Sequence, residues 1–356
     1  MAEIHALFDR MLETEASDLH LTEGQPPKMR LDGRMVVLED EGILDAERIK
    51  GLLQGICRPE RWEKFEILGD LDFAHSYGDK ARFRCNYNKQ YAGYGAVFRT
   101  IPSHIKTLDE LGAPPVVHTF ADYRSGLCLV TGPTGSGKST TLAGIIDHVN
   151  STSARNVLTV EEPIEFVHPV KKSVIVQREV GLDAPSFADA LRASSRQDVD
   201  VILVGELRDL ETISLAVSAG ETGTLVFGTL HTNNAVKTVD RMIDVFHADQ
   251  QNAIRQSLAV ALKAVCAQLL LRRAGGKGRI AAFEVLVQTQ AVINTIREGK
   301  NPMLTQIIMS NRALGMQLMD DCIDEHLNKG LIEGEEAYMK AIDKERFQQY
   351  APRGVA

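Results

Sequence analysis

Ile4, Leu7, Phe8, Met11 and Leu12 recur at i, i+3, i+4, i+7 and i+8, a spacing that predicts an amphipathic helix over about 3–14. The period then falls to two. Ser17-Asp18-Leu19-His20-Leu21 alternates, Pro26-Pro27 interrupts the chain, and 28–37 reads as a hairpin that turns at Asp32-Gly33. A helical period returns over 46–65, and 81–101 alternates again as two strands joined near 90–93. These elements describe an α+β module of roughly 100 residues. Pro102, Pro114 and Pro115 then mark a hinge-like linker, within which Thr107-Leu108-Asp109-Glu110-Leu111 carries a helix-start signature.

Beyond the linker, short β-rich apolar runs at 126–131, 156–161, 200–205, 224–230 and 279–286 alternate with helical stretches. That alternation predicts an α/β domain with a mainly parallel sheet. From about 288 the pattern is helical. Met303, Met309, Met316 and Met319 read as packing residues, and the tail after Gln348 reads as frayed. The expected division is 1–101, a linker at 102–118, and 119–356.

Composition narrows the function classes. With 356 residues, 44% hydrophobic and 25% charged, the chain suits two ordinary globular domains. A net charge of −8 argues against a nucleic-acid partner. The five cysteines, Cys57, Cys85, Cys128, Cys266 and Cys322, are scattered, without a C-x-x-C pair, as expected of reduced and mostly buried thiols in the cytoplasm. Met1-Ala2-Glu3-Ile4-His5 lacks the basic-then-apolar order of a signal peptide. The longest apolar stretch, 257–271, is interrupted by Lys263 and Gln268 and is shorter than the roughly 20 residues of a membrane span. Membrane contact is therefore expected to be peripheral only.

The chemistry concentrates in Gly132-Pro133-Thr134-Gly135-Ser136-Gly137-Lys138-Ser139-Thr140, which fits G-x-x-x-x-G-K-[ST] between an apolar strand and a helix with Leu142, Ile145, Ile146 and Val149 on one face. Such a loop turns backbone N–H groups toward ATP phosphates, Lys138 reaches the β/γ-phosphates, and Ser139 ligates Mg²⁺. Three later strand ends are polar: Glu161-Glu162-Pro163-Ile164-Glu165, then Gly205-Glu206 after four aliphatics, then His231-Thr232-Asn233-Asn234. In open α/β sheets ligands collect at such carboxyl ends. Gly205 stands where a Walker B strand usually ends in Asp, which leaves Mg²⁺ and water positioning to Glu206, with Mg²⁺ held through water, and to the 161–165 carboxylates. His231 reads either as a γ-phosphate sensor or as a structural hydrogen-bonding residue. Arg82, Arg84 and Arg99 lie on strand-like segments. They suit either phosphate contacts or the charged protection of a sheet edge. Arg192, Arg196, Arg208 and Arg241 flank the strand ends, where most such arginines form surface pairs.

Taken together, Ser17–Leu21, Arg82-Phe83-Arg84-Cys85-Asn86, the P-loop, the 161–165 acidic box, 202–212 and the 228–233 histidine box resemble the secretion ATPase superfamily, and within it the type IV pilus retraction ATPases. The resemblance covers nearly the whole chain. It implies a smaller PAS-like α+β domain followed by a RecA-like α/β ATPase domain, assembled as a homohexamer that hydrolyses ATP to retract pili. The implied partners are an inner-membrane platform protein and paralogous motor ATPases. It also implies that Glu206 and Glu165, beside Glu161, support hydrolysis, that His231 reads the nucleotide, and that Arg82, Arg84 and Arg99 contact it. A conjugation or type IV secretion ATPase and an accessory nucleotide-binding regulator share the core boxes. The sequence departs from the family pattern at Glu162, Val199, Thr224 and Ile293, the last replacing the first arginine of a retraction-linked A-I-R-N-L-I-R-E motif at 291–298.

Overall fold

The computed structural model describes residues 3–31, 33–102 and 104–352. The turn residue Asp32, Met1 and Ala2, Ser103 of the linker and 353–356 of the tail lie outside the described residues. The chain forms two compact units, Met1–His104 together with Glu162–Val167, and Ile105–Glu161 together with His168–Ala356. The first unit thus includes a six-residue segment from the middle of the chain, which a contiguous division does not anticipate.

In the first unit α1 (Ile4–Glu13) precedes β1 (Asp18–Thr22), β2 (Lys28–Leu31) and β3 (Arg34–Val37); α2 (Ala46–Gln54) and α3 (Pro59–Leu68) then lead to β4 (Asp70–Tyr77), β5 (Ala81–Gln90) and β6 (Gly93–Ile101). The strands make one antiparallel sheet in the order β3-β2-β1-β6-β5-β4. Phe83, Cys85 and Tyr87 alternate into the core, where Phe83 stacks on Phe8 at 4.1 Å and the Tyr87 hydroxyl donates to the Leu53 carbonyl at 2.9 Å. Their neighbours Arg82 and Arg84 therefore leave the other face. The helical period over 46–65 proves to be two helices. Arg58 is extended at ψ 144° because Pro59 excludes the helical region from the residue before it.

The second unit opens with a hydrogen-bonded turn. The Thr107 N–H donates to Glu110 Oε2 at 2.7 Å and the Glu110 N–H to Thr107 Oγ1 at 3.2 Å, so the helix-start signature closes one turn and no helix follows. After α4 (Pro115–His118), β7 (Gly126–Thr131), α5 (Lys138–Thr152), β8 (Asn156–Glu161), β9 (Val174–Glu179), α6 (Phe187–Ser194), β10 (Val201–Val204), α7 (Leu210–Glu221) and β11 (Leu225–Leu230) alternate. Then come α8 (Ala235–Asp244), α9 (Gln251–Ala261), β12 (Leu262–Arg272) and β13 (Arg279–Val287). The sheet order is β13-β12-β7-β11-β10-β8-β9, parallel except for the antiparallel β12–β13 hairpin at its edge. Every residue of β7, β10 and β11 is buried. Leu142, Ile145 and Ile146 of α5 pack in one core cluster, while Ile213, Val239 and Leu258 of α7, α8 and α9 pack in another. This is the α/β architecture with a mainly parallel sheet that the alternation predicts, preceded by the smaller α+β unit.

The stretch 257–271 resolves into the end of α9 and the buried strand β12, and among the described residues no helix is long and apolar enough to cross a membrane. The last part of the chain, α10 (Gln290–Arg297), α11 (Leu304–Ser310), α12 (Met319–Asn328) and α13 (Gly334–Lys340), is helical as the pattern predicts. Met316 and Met319 are buried, whereas Met303 and Met309 are about half exposed and do not serve the core. All five cysteines are free, and four are buried. Burial pushes the Cys266 thiol up to about 12, which keeps it protonated and unreactive.

Candidate functional site

The glycine-rich loop after β7 sits tightly on β12. A Cβ on Gly132 would lie 2.3 Å from the Gln268 carbonyl oxygen, and one on Gly137 would lie 2.9 Å from Gln268 Nε2, so only glycine fits. Helix α5 begins at Lys138 with no side-chain cap, leaving first-turn N–H groups for an anion. The Lys138 ammonium donates to the carbonyls of Gly132 at 2.8 Å and Pro133 at 3.2 Å. Pro133, Thr134, Gly135 and Ser139 are exposed and Thr140 is half-buried, while Ser136 Oγ is buried without a hydrogen-bond partner. The Thr141 hydroxyl donates to Gln268 Oε1 at 2.7 Å.

Two later strand ends converge on Lys138. Its Nζ lies 3.5 Å from His231 Nδ1, and His231 Nε2 lies 3.1 Å from Glu206 Oε1. An ammonium can only donate, so Nδ1 is the accepting nitrogen and Nε2 carries the proton toward Glu206. The second Glu206 oxygen takes Arg208 Nη2 at 2.8 Å. Burial pushes Glu206 up, but the Arg208 hydrogen bond and charge, with His231, outweigh it and hold the carboxyl below its ordinary range. Gly205 is the close neighbour of β8: a Cβ there would be 3.3 Å from Glu161 Cα and from the Val160 carbonyl, so the strand's acidic group stands one position later, at Glu206.

Glu161 is half-buried at the end of β8, accepting from Thr159 Oγ1 at 2.7 Å and facing Gln177 Nε2 at 3.5 Å. Glu165 belongs to the first unit, where it meets Arg84 Nη1 at 3.4 Å. Beside it, Arg82 donates to the Ile164 carbonyl at 3.1 Å and to Ser76 Oγ at 2.8 Å. Arg99 donates to Asp18 at 2.7 Å. The structure thus groups Lys138, His231 and Glu206 in one place and Arg82, Arg84 and Glu165 in another. Among the flanking arginines, Arg192 forms surface pairs with Asp189 and Glu211. Sequence reasoning missed Gln268 as a residue of this region. Its one signal is a neutral amide interrupting an apolar run. Among the described residues no group of three or more His, Cys, Asp and Glu is placed to hold a metal; the Ser139 hydroxyl is exposed at the loop, and Glu206 is held ionised by Arg208. That donor set fits an ion such as Mg²⁺, which keeps several waters and is shared with phosphate oxygens.

The sequence profile described as "Type II/IV secretion system protein" matches residues 79–321, more than half of the chain. This chain belongs to the type II/IV secretion system protein family. Its relatives place it on the PilT-like branch. It is 47% identical over 334 residues to the type IV pilus retraction ATPase PilT of Pseudomonas aeruginosa, covering 93% of this chain and 96% of that protein. It is 36% identical over 339 residues to the type IV pilus ATPase PilU of the same organism, covering 95% and 88%. A solved structure, the pilus retraction motor PilT with bound ADP, superposes with a TM-score of 0.90 at 40% identity, covering 98% of this chain and all of that one. As in other secretion-system family ATPases of the PilT type, the fold binds nucleotide and hydrolyses ATP.

Proposed function

We propose that this chain is the ATPase motor that drives disassembly and retraction of type IV pili. In this reading it works as a cytoplasmic homohexamer against a platform protein at the inner membrane, in company with paralogous motors. The observation that carries the reading is the Lys138–His231–Glu206 series at the mouth of a P-loop, in a chain closer to PilT, at 47%, than to PilU, at 36%.

In the mechanism we infer, 132–140 cradles the ATP phosphates. Lys138 exchanges neutral carbonyl partners for phosphate oxygens, an exchange that favours the charged ligand. Mg²⁺ would be held by the Ser139 hydroxyl and, through water, by Glu206, where it would neutralise phosphate charge. Glu206, kept ionised by Arg208, accepts a hydrogen bond from the attacking water and orients it, with Glu161 and Glu165 as further acidic groups. When Lys138 turns to phosphate its contact with His231 loosens, so the His231–Glu206 pair changes with nucleotide state. Arg82, Arg84 and Arg99 supply guanidinium contacts to the phosphates. Differential contacts of this kind shift the balance between domain arrangements, which is the source of mechanical work.

Time-lapse imaging of labelled pili tests the reading. A deletion strain carrying the wild-type gene should retract its pili, and one carrying Glu206→Ala should extend without retracting. Normal retraction with neither form present would remove the motor role.

A further inference from the structure

The edge hairpin β12–β13 carries two polar side chains into apolar surroundings, Gln268 at 3% exposure and Glu284 at 4%. In register Ala267 lies opposite Glu284 and Gln268 opposite Phe283, so the two polar groups leave opposite faces of the hairpin one residue pair apart. Gln268 meets the P-loop and the first turn of α5 at three points. Its amide oxygen accepts from Thr141, and its backbone carbonyl and amide nitrogen close over Gly132 and Gly137. On the other face Glu284 Oε1 accepts from the Ala235 N–H at 2.8 Å and Oε2 from the Met319 N–H at 3.3 Å.

Ala235 is the first residue of α8, four positions after His231. The same helix holds the histidine loop through Thr238 Oγ1, 2.7 Å from Thr232 Oγ1 and 3.5 Å from Thr131 Oγ1 at the end of β7. Glu284 thus satisfies first-turn donors of two helices: α8, whose Asn234 cap accepts only from the Lys237 N–H at 2.8 Å, and α12, which has no side-chain cap of its own. A buried carboxylate is a costly group in a core strand, and here both its oxygens are committed to placing backbone.

We propose that Gln268 and Glu284 are positioning residues for ATP hydrolysis: Gln268 sets the P-loop through Thr141, and Glu284 sets the His231 loop through Ala235. One rigid hairpin then fixes the separation of Lys138 and His231. Because Glu284 also holds the first residue of α12, the same pair ties the nucleotide loops to the C-terminal helices. The inference rests on the ATP-site reading above.

The test uses the assembled full-length protein, with kcat, KM for ATP and thermal midpoint measured in parallel. Gln268→Met keeps length and apolar packing but orphans the Thr141 hydroxyl; the double variant with Thr141→Val removes both partners. Gln268→Met should lower kcat about tenfold and raise KM several-fold. The double variant should regain the thermal midpoint without regaining kcat. Glu284→Gln, whose amide can accept only one of the two N–H groups, should lower kcat about tenfold with KM within about twofold of wild type, because His231 acts after binding. Recovery of kcat along with the midpoint in the double variant would make Gln268 merely structural, and wild-type kcat in Glu284→Gln would overturn the role of Glu284. Lys138→Ala separates the two levels. If it is inactive while both hairpin variants match wild type, only this inference falls; if it turns over ATP normally, the site reading itself falls.

Discussion

Asp18 is buried in a line of guanidinium groups. Strand register sets Arg30 opposite Asp18, Asp18 opposite Arg99 and Arg99 opposite Arg84, so three arginines share one cross-strand row with one carboxylate. Like charges facing each other across strands repel, and the 2.7 Å contact to Arg99 and the 3.7 Å contact to Arg30 offset that repulsion. Burial pushes the Asp18 carboxyl up, but hydrogen bonds from Ser17 and Arg99 and the Arg99 charge hold it below its ordinary value. A carboxyl depressed on folding adds stability above its unfolded pKa, and that contribution is lost as pH falls through the folded value. Asp18→Asn should therefore cost about 1–2 kcal/mol at pH 7, discounted for the exposure of Arg99. In paired thermal melts the difference from wild type should narrow steadily as the pH is lowered below the ordinary carboxylate range; a deficit unchanged by acidification would contradict this. At this scale the sequence was most legible where spacing alone settles geometry: Lys138 at the start of α5, and Arg82 and Arg84 on a shared strand face. It was least legible at Gln268, because a lone amide in an apolar run has no signature until the fold shows what it touches. For His231, which the sequence leaves between two readings, the structure adds Lys138 and Glu206 on either side of its ring.

Among the elements, those with a clean period were visible in advance: α1, the β2–β3 hairpin, β5–β6, and the buried strands β7, β8, β10, β11 and β13. Three strands were not. The burial of β4 is irregular because Asp70, Asp72 and His75 occupy an edge strand, β9 is also an edge strand with exposed valines, and β12 follows α9 without a break, so its apolar run merges with the helix. That direct helix-to-strand junction makes its own demand on β7. Gly126 adopts φ +122°, and a Cβ there would lie 2.9 Å from the Ala261 carbonyl oxygen and 2.3 Å from the Lys263 side chain. Gly126→Ala therefore combines backbone strain with a clash against backbone, and should cost about 2–3 kcal/mol. The measurable result is a thermal midpoint lowered by several degrees, and an unchanged or raised midpoint would show that the junction yields. In the helical C-terminal part, α10 carries the altered 291–298 motif. Thr289 caps it, and Ile293 packs, half-buried, against the core in place of the family's arginine.

At the scale of the whole molecule, one unit presents a row of arginines and the other a P-loop whose lysine, histidine and glutamate meet in series. The family relationship makes the P-loop unit that of a PilT-type ATPase. The chain carries a net charge of −8, and among its described residues no helix is long and apolar enough to cross a membrane. Helices α12 and α13 are anchored to the ATPase sheet through the β12–β13 hairpin, where Leu271 and Ala282 join Met319, Cys322, Ile323 and Ala337 in one cluster. A change at the nucleotide loops therefore has a packed route to them. The central claim is that Lys138 and Glu206 perform ATP hydrolysis, and steady-state phosphate release by the full-length protein tests it most directly. Wild type should turn over ATP, while Lys138→Ala and Glu206→Ala, with thermal midpoints near wild type, should be slower by at least about a hundredfold. Wild-type turnover in either variant would contradict the account.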